Sequence, residues 1–66
     1  MSPKRLGVTV KRLRQKRGLT QAELAKRAKL HRIYVAQIEA QTKTPSIGAL
    51  ERIAKVLRVP VTELLE

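Results

Sequence analysis

Basic side chains are the main chemistry this sequence offers. Fifteen Lys and Arg stand against five Asp and Glu in 66 residues, a formal charge of +10 and a pI near 11.3. Seven of them, Lys4, Arg5, Lys11, Arg12, Arg14, Lys16 and Arg17, fall in the first 17 residues, where there is no acid. Such an excess repels itself in a compact chain, and the chemistry it suits is neutralisation of a polyanion. A merely solvated basic exterior is the plainer alternative. Catalysis finds little support: the carboxylates are scattered, hydroxyls are few, and no nucleophile–base pair or phosphate-cradling glycine loop is present, so an enzyme is not expected. With no Cys and a single His there is no disulfide, thiolate or zinc site, and no metal or cofactor is expected. Tyr34 is the only aromatic residue, which argues against a stacking platform for single strands. No apolar run approaches the roughly 18 residues of a membrane span and no signal peptide is apparent, so a cytoplasmic protein with no membrane partner is expected. A hydrophobic content of 42% is too high for a disordered tail.

Helices have to position these groups. Ser2-Pro3 pairs an N-cap with a proline at the first helical position. Leu6, Val10 and Leu13 then recur at i, i+4 and i+7 as one apolar stripe, which Gly18 ends. Thr20-Gln21-Ala22-Glu23 is a capping box, flanked by Leu19 and Leu24 as a hydrophobic staple. Leu24, Ala25 and Ala28 face inward from this second helix. In the third, Val35 and Ile38 point inward. At about 100° per residue the opposite side carries Ile33, Ala36, Gln37 and Ala40, with Arg32 on its flank. Thr42-Lys43-Thr44-Pro45 reads as a loop and Ser46 as the next cap, before the amphipathic run of Leu50, Ile53, Ala54 and Leu57. Pro60 interrupts that run. The spacing predicts helices at 3–17, 21–28, 32–40, 46–57 and 62–65 around a core of Leu6, Val10, Leu13, Leu24, Val35, Ile38, Leu50, Ile53 and Leu57. Nothing alternates usefully at period two. The expected fold class is all-α, a compact five-helix domain occupying 1–66. Val59, Val61, Leu64 and Leu65 have little chain left to cover them, which points to a second copy as their partner.

Two short helices joined by a tight turn in a basic surround make a helix-turn-helix of the second and third helices. The residues go further. Leu19-Thr-Gln-Ala-Glu-Leu-Ala-Lys-Arg-Ala28 is followed by Tyr34-Val35, Ile38-Glu39, Pro45-Ser46, Leu50, Ile53-Ala54, Leu57 and Glu63-Leu64-Leu65. This ordered set resembles the phage-repressor/Cro-like (XRE-type) helix-turn-helix family over residues 6–66. The resemblance implies a lambda-repressor-like fold, a symmetric dimer on DNA, and a third helix lying in the major groove. Carried over by position, it implies that His31, Arg32, Ile33 and Gln37 contact base edges. Gln21 would hold a phosphate at the start of the second helix, and Lys43 and Thr44 would lie along the DNA backbone. It also implies a partly buried ion pair between Arg14 and Glu39. Arg14, with the rest of the basic first helix, is further expected to touch phosphate, as is the Tyr34 hydroxyl. Arg32 suits a guanine edge, Gln37 an adenine edge, and Ile33 a thymine methyl. Three positions depart from the pattern: Lys29, Gln41 and Arg58 stand where the family commonly has Gly. A left-handed backbone at those sites costs each non-Gly residue about 1 kcal/mol, unless the turn is reshaped. His31 replaces the usual Ser or Thr cap.

The function expected is therefore a sequence-specific, double-stranded DNA-binding transcriptional regulator of the small repressor type. It would act as a homodimer on a palindromic operator whose half-sites lie about 34 Å apart. A phage repressor, a restriction–modification controller and an antitoxin with a toxin partner all remain open within that reading. The alternative from another class is an antitoxin or adaptor whose main role is protein–protein interaction. A continuous apolar surface would favour it.

Overall fold

The computed structural model describes residues 3–65 and places them in five helices. These are α1 (Pro3–Lys16), α2 (Gln21–Ala28), α3 (Arg32–Ala40), α4 (Ile47–Leu57) and α5 (Val61–Leu64), with no strand among the described residues. The expected cap at Ser2 lies outside the described residues. Local chemistry starts each of the next three helices. Thr20 Oγ1 accepts from the Glu23 N–H at 3.1 Å while Glu23 Oε1 accepts from the Thr20 N–H at 2.8 Å, which closes the capping box. Ser46 Oγ accepts from the Ala49 N–H, and His31 Nδ1 from the Ile33 N–H, both at 3.1 Å. α4 starts at Ile47 because Ser46 is its cap, and α5 starts at Val61, one residue earlier than expected, because Pro60 takes the cap position.

Four of the helices end in the same way. After α1 the Gly18 N–H bonds the Gln15 carbonyl at 2.9 Å and the Leu19 N–H reaches back to the Arg14 carbonyl at 3.1 Å. The corresponding pair of bonds closes α2 around Lys29, α3 around Gln41 and α4 around Arg58. This is the Schellman termination, and its pivot is left-handed. Gly18 sits there at φ 71° without penalty, but Lys29, Gln41 and Arg58 adopt φ 57°, 62° and 58° with a Cβ in place. The turns are not reshaped; the strain is retained.

Every residue expected in the core is buried, joined by Leu19, Ala25, Ala28, Ala49, Ala54 and Leu64. Small alanines on α2 and α4 let those helices pack closely. Gly7 does the same between α1 and the end of α3. A Cβ on Gly7 would stand 2.6 Å from the Ile38 carbonyl oxygen, and its N–H donates to Gln41 Oε1 at 3.1 Å. Leu64 corrects one expectation. α5 folds back against α4 and α1 and leaves Leu64 0% exposed, so it is a core residue and not a contact for a second copy. The turn at Arg58–Pro60 brings the chain end over the core, whereas the sequence had suggested it was uncovered. Val59, Val61 and Leu65 are half-buried against the same core. No described helix is long and apolar enough to cross a membrane.

Candidate nucleic-acid interface

Glu39 on α3 gathers three helices. Its Oε2 accepts from Arg14 Nε at 2.7 Å, and its Oε1 accepts from Arg14 Nη2 and Gln21 Nε2, each at 3.0 Å. Arg14 Nη1 donates to the Leu19 carbonyl at 2.7 Å. One carboxylate thus ties α1, α2 and α3 together, and the guanidinium also holds the turn that leads into α2. The two parallel N–H···O bonds give the Arg–Glu pair both strength and a defined orientation. Its side chains are only 10% and 4% exposed. Hydrogen bonding to Glu39 raises the Arg14 pKa above its ordinary value, against the opposing pull of burial. A pair enclosed like this is costly to break from one side, because the remaining charge is left without a partner. It therefore sets how α3 sits against α2.

The expected Arg14–Glu39 pair is present, but Arg14 is not placed as a phosphate ligand. Arg14 stands four residues after Val10, on the buried stripe of α1, and its guanidinium is engaged inside by Glu39 and Leu19. Gln21 is half-buried at the start of α2 and uses one amide proton on Glu39, keeping the second to donate.

The outer side of α3 is built differently. His31, Arg32 and Ile33 are exposed, Ile33 at 52%, and Gln37 lies half-buried one turn after Ile33. Ala36 and Ala40 flank them with small side chains, so little bulk holds a ligand off the helix. His31 Nδ1 is taken by the cap, which puts the proton of the neutral ring on Nε2 as an exposed donor. From the first turn of α3, the Tyr34 hydroxyl accepts from the Ser46 N–H at 3.0 Å, and the Lys43 ammonium lies 5.7 Å from the Tyr34 ring centroid. Tyr34 thereby pins the loop between α3 and α4, and in accepting that bond its hydroxyl keeps a proton to donate. Thr44 is exposed on the same loop. Cationic and neutral donors, one two-way amide and one apolar side chain suit a ligand that is anionic and also carries both hydrogen-bonding edges and methyl groups.

Three supporting contacts lay beyond sequence reasoning: Gln21 to Glu39, Tyr34 to Ser46, and Gly7 to Gln41. Only the last had a local signal. A glycine inside a helix is about 1 kcal/mol worse than alanine, and its presence marks a close approach.

The helix-turn-helix family model matches residues 10–64. The immunity repressor protein of Bacillus phage phi105 is 38% identical over 60 residues, covering 91% of this chain and 42% of the repressor. SinR, a helix-turn-helix transcriptional regulator of Bacillus subtilis, is 37% identical over 62 residues, covering 92% of this chain and 56% of SinR. The chain thus spans about half the length of these relatives. The N-terminal DNA-binding domain of Bacillus subtilis SinR superposes with a TM-score of 0.92 at 34% identity, over 96% of this chain and 93% of that one. SinR in complex with DNA superposes at 0.89 with 35% identity, over 92% of this chain and 98% of that one. The restriction–modification controller C.AhdI of Aeromonas hydrophila superposes at 0.90 with 29% identity, over 94% of each chain.

Proposed function

Because this chain belongs to the phage-repressor/Cro-like helix-turn-helix family, we propose that it is a sequence-specific double-stranded DNA-binding regulator of transcription. One observation carries the reading: a nine-residue α3 presents Arg32, Ile33 and Gln37 outward while the Arg14–Glu39–Gln21 network locks its inner side. A helix with small flanking side chains fits a major groove about 12 Å wide. The DNA bound by SinR supports the same ligand here.

In this reading Arg32 donates to guanine O6 and N7, Gln37 pairs with adenine N6 and N7, Ile33 contacts a thymine methyl, and His31 offers Nε2–H to a base-edge acceptor. Gln21, Tyr34, Lys43 and Thr44 hold phosphates and fix the register without reading sequence. α3 spans only about 13 Å, so one copy reads few base pairs. Two copies on a palindromic site, with half-sites about 34 Å apart, supply the missing specificity. Val59, Val61 and Leu65 form the contact between copies. DNA as the ligand also implies a cytoplasmic site of action.

Selection of bound sites from random duplexes tests the proposal. A palindromic consensus should emerge, and Arg32→Ala, Ile33→Ala and Gln37→Ala should each relax preference at a different base pair, by about 1–3 kcal/mol. Equal loss at every sequence, or no consensus, would reject α3 as a reader and favour a protein-binding adaptor instead.

A further inference from the structure

A second basic surface lies between α2 and α4. Arg27, Ala28 and Lys29 at the end of α2, with Arg52, Lys55 and Val56 on α4, line a groove of about 260 Å³. Four of the six lining side chains are cations and none is an acid. All four cations are exposed, and the ion pair found among the described residues, Arg14–Glu39, involves none of them. Arg27 and Lys55 lie in the last turns of their helices and partly offset the helix dipoles there. Arg52, in the middle of α4, has no such role. Lys29, the left-handed residue that ends α2 at φ 57°, also lines the groove.

No residue of α3 lines the groove. α4 begins beside Tyr34, through the Ser46 N–H, and Lys55 lies nine residues further on, about 13 Å along the axis. Lys55 thus sits toward the far end of α4 from Tyr34, while Lys29 lies two residues before His31. The groove is large enough to admit a phosphate or diphosphate group. Ala28 and Val56 add apolar wall beside the charges, which strengthens their field.

We propose that the groove between α2 and α4 is a second anion site, in which Arg27, Lys29, Arg52 and Lys55 take a phosphate-bearing ligand. The same chemistry has two sources: a free diphosphate group, or the backbone of duplex DNA outside the recognised site. Pyrophosphate is the probe, titrated into the full chain at constant ionic strength set with chloride and followed by amide chemical shifts. The expected result is a saturable response confined to residues 27–29 and 52–56. In R52Q/K55Q, binding should weaken about tenfold, the equivalent of one charge-assisted hydrogen bond. K29Q should weaken it as well, and serves if the double variant melts early in chloride. Shifts that spread over all the basic residues without saturating, or unchanged pyrophosphate binding in the variants, overturn the proposal. Duplexes with and without an added helical turn of flanking DNA separate the sources. A flank-dependent gain in affinity that R52Q/K55Q abolishes identifies the DNA backbone, and a retained pyrophosphate response without flank dependence identifies a free phosphate ligand. The pyrophosphate arm contains no DNA, so its outcome does not depend on whether α3 reads bases.

Discussion

Replacing Lys29 or Arg58 with glycine should stabilise the protein, although each change removes only an exposed side chain. Both residues are pivots of Schellman turns at φ 57° and 58°. A Cβ in that region costs about 1–2 kcal/mol in the folded state. Glycine widens the unfolded ensemble and returns about 0.4–1 kcal/mol of that gain. The net is about 0.5–1 kcal/mol, which in a domain of this size raises Tm by about 3–6 °C. Each glycine also removes a positive charge from a molecule of net +10, so Lys29→Ala and Arg58→Ala are the controls, with the charge gone and the Cβ kept. Gln41→Gly should behave differently. It lifts the same strain at φ 62° but deletes the acceptor for the Gly7 N–H, worth about 0.5–1.5 kcal/mol, so Tm should barely move. Thermal and urea melts followed by circular dichroism read all five variants. If the glycine variants at 29 and 58 are no more stable than their alanine controls, the left-handed strain is not there and the reasoning fails.

Glu39→Gln leaves an enclosed guanidinium without its counter-charge and should cost about 3 kcal/mol in urea melts, part of which R14M/E39L recovers by replacing the pair with apolar bulk. Gly7→Ala should destabilise by about 1–3 kcal/mol although alanine is the better helix former, because the new methyl meets the Ile38 carbonyl at 2.6 Å; a rise in Tm would contradict the close approach. His31→Ala should lose about 1 kcal/mol of capping, and His31→Asn should restore stability without restoring an imidazole donor, so base preference in a site selection separates the two roles. The Glu23 carboxylate accepts from the Thr20 backbone N–H, and that bond, then the bond with the Thr20 side chain, holds its pKa below the ordinary value. Its contribution to stability is therefore complete above the usual carboxylate range and is lost as pH falls through the lowered folded value; Glu23→Gln should flatten that part of a Tm-against-pH curve.

What was legible in the sequence was local or periodic. Leu6, Val10 and Leu13 announce a buried stripe at helical spacing, and Thr20 with Glu23 announces a helix start, because each depends on residues within about two turns of one another. The three strained turns were not decidable locally. A Lys at position 29 argues against a left-handed pivot, yet the pivot forms because the next residue, Leu30, packs against the core, as Val59 does after Arg58. At Gln41 the following residue is Thr42, which has no apolar side chain to bury; there the pivot's own side chain reaches Gly7 instead. The candidate site divides along the same line. Side-chain types named the outer face of α3, but the bond of Gln21 to Glu39 and that of Arg14 to the Leu19 carbonyl depended on how the helices cross, which no spacing reveals. Arg14 shows which signal outranks the other. Its charge suggested a phosphate ligand, while its place four residues beyond Val10 put it on the inner stripe. Turning α1 to expose Arg14 would also pull Leu6, Val10 and Leu13 out of the core, at about 1.5–3 kcal/mol for each large side chain. A guanidinium met inside by a carboxylate and a carbonyl costs less than that, so the stripe decides where Arg14 goes and Glu39 makes the position tolerable.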